Sequence, residues 1–193
     1  RQVLQEAGVV NLQAYMDTYI PMNRQMWEDL TLNKISKQEL VDTRFSRLFA
    51  YFGQQVDGKY FAGRYQHFLS QQGQTYSGAK DLLKELHHQD YRIFGATNGI
   101  TKIQKGRMAK ADISPYFEDI FISDIIGYQK PNKFFYDYIS QSVLGFDYSR
   151  ALMIGDNLLA DIQGGNNAGI DTAWYNPHGK DNQTQAQPTH IIK

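Results

Sequence analysis

The sequence predicts an α/β protein in which a helical module is followed by a parallel sheet layered with helices. Three observations lead there. From Asn11 to about Gln74, apolar residues recur at helical spacing and no convincing strand is found. After Gln72-Gly73-Gln74 the grammar changes, and helices of about ten residues alternate with short apolar strands. With 193 residues, 41% of them hydrophobic and 13% aromatic, the chain can bury a substantial core. Alternation of this kind specifies βαβ units with right-handed crossovers, hence a Rossmann-like parallel core.

The elements follow in order. Gln2 to Gly8 reads as the last turns of a helix closed by a glycine. Leu12, Tyr15, Met16 and Tyr19 follow the i, i+3, i+4, i+7 pattern of one buried face, and Trp27, Leu30 and Leu32 suggest a second helical unit. Ser36-Lys37-Gln38-Glu39 is a capping box that opens a helix through Leu40, Val41, Phe45 and Leu48. Tyr60, Tyr65, Phe68 and Leu69 mark another. In the second part, helices are predicted over 79–87, 100–111, 133–143 and 158–167, the last ended by Gly169. Strands are predicted over 91–95, 119–123, 151–154 and 171–175, the third of them buried on both faces. Residues 176–188 form a polar loop, and Ile191-Ile192-Lys193 is a strand-like tail. The expected division is a helical domain over 1–74 and an α/β domain over 75–193.

Composition removes several classes of function. Lys plus Arg equals Asp plus Glu at 20 each, so no global field attracts a nucleic-acid polymer or an anionic membrane. An anionic ligand must be held locally. The absence of cysteine excludes disulfides, thiolate metal sites and a Cys nucleophile, and fits a reducing, cytoplasmic setting. No run of about 18 apolar residues and no basic leader followed by an apolar stretch is present. Asn182-Gln183-Thr184 matches the glycosylation triplet by chance. Oligomeric state is left open.

The chemistry-bearing residues stand at strand ends. Ala151 to Ile154 runs into Gly155-Asp156-Asn157, with Asp161 five positions beyond Asp156. In an open parallel sheet, ligands bind outside the carboxyl ends of the strands. Asp156 and Asn157 also read as a turn residue and a helix cap. The strand before Ala96 leads to Thr97-Asn98-Gly99, whose hydroxyl and backbone amides can hold a phosphate oxygen at a helix start. Lys130 precedes Pro131, where a helix is expected to begin, which would hold the lysine at a helix entrance. Parallel strands place Thr97, Lys130 and Asp156 at one rim. A cation, a hydroxyl and two carboxylates there suit phosphoryl chemistry, and oxygen-only ligands point to Mg²⁺.

Thr97-Asn98-Gly99, then Lys130-Pro131, then Gly155-Asp156-Asn157 with Asp161, resembles the second, third and fourth motifs of the haloacid dehalogenase superfamily. Within it the chain is similar to phosphatases with a small helical cap, and most of all to the pyrimidine 5′-nucleotidase branch. The resemblance implies that residues 1–74 are the cap and 75–193 the core. It implies that Thr97 binds a phosphate oxygen with help from Asn98 and Gly99. Lys130 would neutralise the phosphate and the attacking carboxylate. Asp156 would ligate Mg²⁺, and Asp161 would orient metal waters or Lys130. The superfamily's first motif, an apolar strand ending in Asp-x-Asp that supplies the nucleophile, occurs nowhere in these residues. That strand lies mid-sheet, and leaving its neighbours unpaired costs about 1 to 3 kcal/mol per buried group, so a segment of about 20 residues is expected ahead of Arg1.

The resulting expectation is a Mg²⁺-dependent phosphomonoesterase acting on a small-molecule phosphomonoester through an aspartyl-phosphate. A nucleoside monophosphate is favoured by the resemblance, and a sugar phosphate is the alternative substrate. Two rivals are a metal-free dehalogenase and a catalytically inactive binding module. Trp27, Tyr51, Phe52 and Tyr60 are candidates for stacking on a base, or for the core.

Overall fold

The computed structural model describes residues 1–193, which separate into two compact units. The first comprises Arg1–Tyr91 and Lys102–Tyr116, the second Arg92–Thr101 and Phe117–Lys193.

The first unit is helical: α1 (Gln2–Glu6), α2 (Leu12–Thr31), α3 (Lys37–Tyr51), α4 (Gly58–Ser70), α5 (Ala79–His88) and, beyond the first strand, α6 (Thr101–Ala111). Side chains close the orphan amides at three helix starts. Asn11 accepts from Ala14 N, Ser36 from Glu39 N, and Asp57 from Lys59 N and Tyr60 N. Where the sequence suggested two units between Leu12 and Leu32, one 20-residue helix runs through Pro21. Tyr15, Tyr19, Met26 and Leu30 are its buried residues, a single stripe at spacings of four, seven and four, and packing of that stripe outweighs the proline. Leu32, half exposed, is the C-cap.

Val3, Leu4, Tyr15, Tyr19, Phe45, Leu48, Phe49 and Ala62 form the main core, and Met26, Leu30 and Leu40 a second cluster. Two of the four candidate stacking aromatics belong to these cores. Phe52 stacks on Tyr15 with centroids 3.9 Å apart, and Trp27 packs on the second cluster, whereas Tyr51 and Tyr60 are exposed. Compactness does not divide the chain at residue 74. A Cβ on Gly106 would strike the Ser70 backbone, and one on Gly73 the Lys110 backbone, so α6 lies directly on the end of α4 and groups with the helical unit.

The second unit holds five strands, every pair parallel. β1 (Phe94–Thr97) pairs with β2 (Asp119–Ile122), and Thr97 lies opposite Ile122. β3 (Leu152–Gly155), β4 (Asp171–Tyr175) and β5 (His190–Ile192) form a second sheet in that order, with Gly155 opposite Trp174. No ladder joins β1 to β3. The helices are α7 (Ser123–Ile126), α8 (Lys133–Ser142) and α9 (Gln163–Ala168), the last entered through a π-helical turn at Leu158–Ile162. Phe121, Phe135, Tyr136, Ile139, Val143 and Ile170 make the core, with Met153 and Phe94 against it.

Two strand expectations are corrected. The first strand begins at Phe94, not at residue 91, because Tyr91 is exposed and the Arg92 guanidinium is drawn to Glu118 at 2.7 Å. β3 is not buried on both faces: Met153 turns to the core, while Leu152 and Ile154 on the other face are 50% and 51% exposed. No helix is long and apolar enough to cross a membrane.

Replacing Ser36 by Ala removes the acceptor of Glu39 N and is expected to cost about 1 kcal/mol in urea unfolding. Leu48→Ala, at a fully buried position, is expected to cost about 2 to 5 kcal/mol in the same measurement.

Candidate active site

The site is built around Lys130. Its ammonium is buried, and two of its three donors are engaged. One reaches Asp161 Oδ1 at 2.6 Å, the other the Ala96 carbonyl at 2.7 Å. The side chain therefore ties the carboxyl end of β1 to the helical turn that follows β3. Desolvating an ammonium costs several kcal/mol, and the matching carboxylate with its own hydrogen bonds is what offsets it.

Asp161 is held as firmly. Its Oδ2 accepts from Asn157 N at 3.0 Å, so both carboxylate oxygens are occupied by protein donors. Asn157 caps the turn, its Oδ1 accepting from Leu159 N and Ala160 N. Gly155 leaves the space: a Cβ there would overlap the Asp161 carboxylate. The Tyr136 hydroxyl lies 3.5 Å from the Asp161 carbonyl, and burial pushes that phenol's pKa up, keeping its proton in place.

The backbone of Lys130 is clamped from the opposite direction. Asn98 Oδ1 accepts from Lys130 N at 2.9 Å, while Asn98 Nδ2 donates to Lys130 O at 2.8 Å, reproducing the reciprocal pairing of adjacent strands. Thr97 Oγ1 accepts from Gly99 N at 2.9 Å, which closes the turn after β1. Asp124 Oδ2, in α7, accepts from Thr101 N, which ties the turn after β1 to that helix. The expectation that Pro131 opens the helix is corrected: Asn132 is the N-cap of α8, accepting from Phe134 N, and Lys130 is positioned by Asn98.

Asp156 lies beyond β3, one residue from the Asn157 amide that binds Asp161, and the Trp174 indole donates to its backbone carbonyl at 3.2 Å. Its carboxylate is exposed and accepts no hydrogen bond. Thr97, Asn98, Gly99, Lys130, Asp156 and Asp161 thus all belong to the second unit, and a continuous set of hydrogen bonds links Asn98, Lys130, Asp161 and Asn157. The Ala96 carbonyl was not singled out from the sequence, and Gly155 figured there only as part of Gly155-Asp156-Asn157, without a role. Their roles depend on which side chain comes close, and no local pattern encodes that.

Residues 14–175 match the haloacid dehalogenase-like hydrolase family. The chain belongs to that family. It is 60% identical over 191 residues to the pyrimidine 5′-nucleotidase PynA of Streptococcus pneumoniae, covering 99% of this chain and 81% of the relative. The HAD-hydrolase YfnB of Bacillus subtilis, whose crystal structure was obtained bound to magnesium, superposes with a TM-score of 0.92 at 33% identity, over 100% of this chain and 83% of that one. L-2-haloacid dehalogenase from Xanthobacter autotrophicus shares the fold, with a TM-score of 0.78 at 15% identity, over 99% of this chain and 86% of that one. The polar groups of this chain collect where parallel strands end, which is where such folds bind ligands.

Gly155→Ala is expected to lower stability by about 1 to 3 kcal/mol in urea unfolding, because the Asp161 carboxylate must leave its place between Lys130 and Asn157. Gly63→Ala is the control: its Cβ meets nothing within 4 Å in an exposed part of α4, and a gain of about 0.5 to 1 kcal/mol is expected.

Proposed function

We propose that this hydrolase is a phosphomonoesterase whose substrates are pyrimidine nucleoside 5′-monophosphates. The observation that carries the reading is 60% identity, over 99% of the chain, to a pyrimidine 5′-nucleotidase. The arrangement around Lys130 supports the phosphoryl chemistry.

An ammonium has three donors, and two here are committed to Asp161 and Ala96. The third is the group offered to a phosphate oxygen, at a fixed position and with its charge little screened. Asp161 keeps the lysine in place. Thr97, its oxygen accepting from Gly99 N, would bind a second phosphate oxygen at the end of β1. Asn98 contributes by holding the Lys130 backbone.

Mg²⁺ commonly takes one or two protein carboxylates and completes its shell with water and substrate phosphate. The donor chemistry here fits: Asp156 offers an exposed carboxylate without a competing hydrogen bond, at the end of the strand beside Asp161. No cluster of three acidic or histidine residues exists in the chain. Asp156 would hold the ion, which when bound supplies positive charge to the transferring phosphoryl group.

In the proposed reaction a carboxylate attacks phosphorus, the bond from phosphorus to the nucleoside oxygen breaks, and an aspartyl-phosphate remains. Water then cleaves the acyl-phosphate, releasing inorganic phosphate and regenerating the carboxylate. Residues 1–193 contain no Asp-x-Asp pair, so the attacking group of this scheme is not among them.

Phosphate release by the full-length protein from cytidine, uridine, adenosine and guanosine 5′-monophosphates tests the proposal. Turnover of the two pyrimidines is expected, abolished by EDTA and lowered at least about 100-fold in kcat by Asp156→Asn or Lys130→Met. Turnover that survives both EDTA and Asp156→Asn would reject the metal-assisted route. Equal turnover of all four nucleotides would reject the pyrimidine assignment alone.

A further inference from the structure

Arg44, in the middle of α3, is only 2% exposed, less than any other arginine or lysine, with Lys130 at 5% the next. No acidic side chain pairs with it. Its Nε and Nη2 are the only buried side-chain donors in the chain that find no acceptor. A buried guanidinium without a counter-charge is costly, and a native structure rarely keeps such donors idle without a reason.

Aromatic contact does not answer the deficit. The Arg44 guanidinium carbon lies 4.6 Å from the Tyr65 ring centroid and 5.6 Å from that of Phe45. Those contacts satisfy the faces of the planar group, whereas its N–H bonds lie in the plane. Nε and Nη2 together form one edge of the guanidinium, the edge that grips two oxygens at once. The same molecule shows what that edge takes elsewhere. Arg64 grips Glu6 with Nε at 2.9 Å and Nη2 at 2.5 Å, and Arg92 grips Glu118 with Nε at 2.9 Å and Nη2 at 2.7 Å. Arg44 has the same fork without its carboxylate. The neighbouring Tyr19 hydroxyl, which donates to Asn23 Oδ1 and is kept neutral by burial, lies close enough to feel the guanidinium but accepts a hydrogen bond from neither Nε nor Nη2.

We propose that the Nε–Nη2 edge of Arg44 is an oxyanion site within the helical unit, which takes two oxygens of a carboxylate or phosphate group between Tyr65 and Phe45. The donor edge is closed to solvent, so side chains around it must move to admit the ligand. The binding energy of a charge-assisted bidentate pair offsets that movement. The inference does not rest on the nucleotidase reading, since every residue it uses lies in the first unit.

The test is an NMR titration of the ¹⁵N-labelled protein, following arginine Nε–H signals with inorganic phosphate in one arm and succinate in the other. A saturable shift of the Arg44 signal is expected in at least one arm, which also identifies the preferred oxyanion, while the glutamate-paired Arg64 and Arg92 signals stay in place. In parallel, the same anion at about one hundred times its Kd should raise the Tm by about 5 °C, and Arg44→Met should lose that rise. An Arg44 signal that moves in neither arm overturns the proposal, whether or not the variant folds. An equal rise in Tm for Arg44→Met overturns it as well.

Discussion

The buried pair of Lys130 and Asp161 is the constraint on which the second unit's functional end depends. Two opposite charges, both out of solvent and 2.6 Å apart, are tolerable because most of the polar valences around them are answered. The Ala96 carbonyl takes a second lysine donor, the Asn157 amide takes the second carboxylate oxygen, and Asn98 holds the lysine backbone. These groups come from two stretches of chain, the end of β1 with its turn and the turn after β3. Loss of either charge would leave the other buried and unpaired, and the turns after β1 and β3 would lose the link between them. The frame is thus nearly neutral and rigid, with one ammonium donor to spare.

That frame explains the division of labour between the two carboxylates near β3. Asp161 is fully engaged by protein donors and serves the lysine; Asp156, exposed and unengaged, is the one with lone pairs to give to a cation. Sequence spacing alone places both at one strand end. Only the direction of their hydrogen bonds separates their roles.

Much of the fold was legible because local chemistry encodes it. The capping box at Ser36 and the Asn157 cap form as their side chains require, and β4 spans the expected residues 171–175. What escaped is non-local. The Asn98 clamp joins residues 32 apart, and nothing around either residue announces the other. The continuity of α2 through Pro21 was hidden because a proline's local cost is visible in sequence while the packing that outweighs it is not. Exposure of Leu152 and Ile154 was missed for a related reason: an apolar run tells that a strand can be buried, not that both its faces are covered. Arg44 did leave a signal. It lies four residues after Leu40 and four before Leu48, inside the buried stripe of α3, and a search for apolar periodicity passes over a charge in that register.

The most direct test of the account is a double-mutant cycle on the frame itself, with Lys130→Met, Asp161→Asn and the pair measured by urea unfolding. Each single change should cost about 3 to 5 kcal/mol, and the double should cost less than their sum by at least about 2 kcal/mol, because the second change removes the charge that the first left stranded. Single changes that are nearly neutral, or costs that add within about 0.5 kcal/mol, would contradict the claim that this pair organises the site.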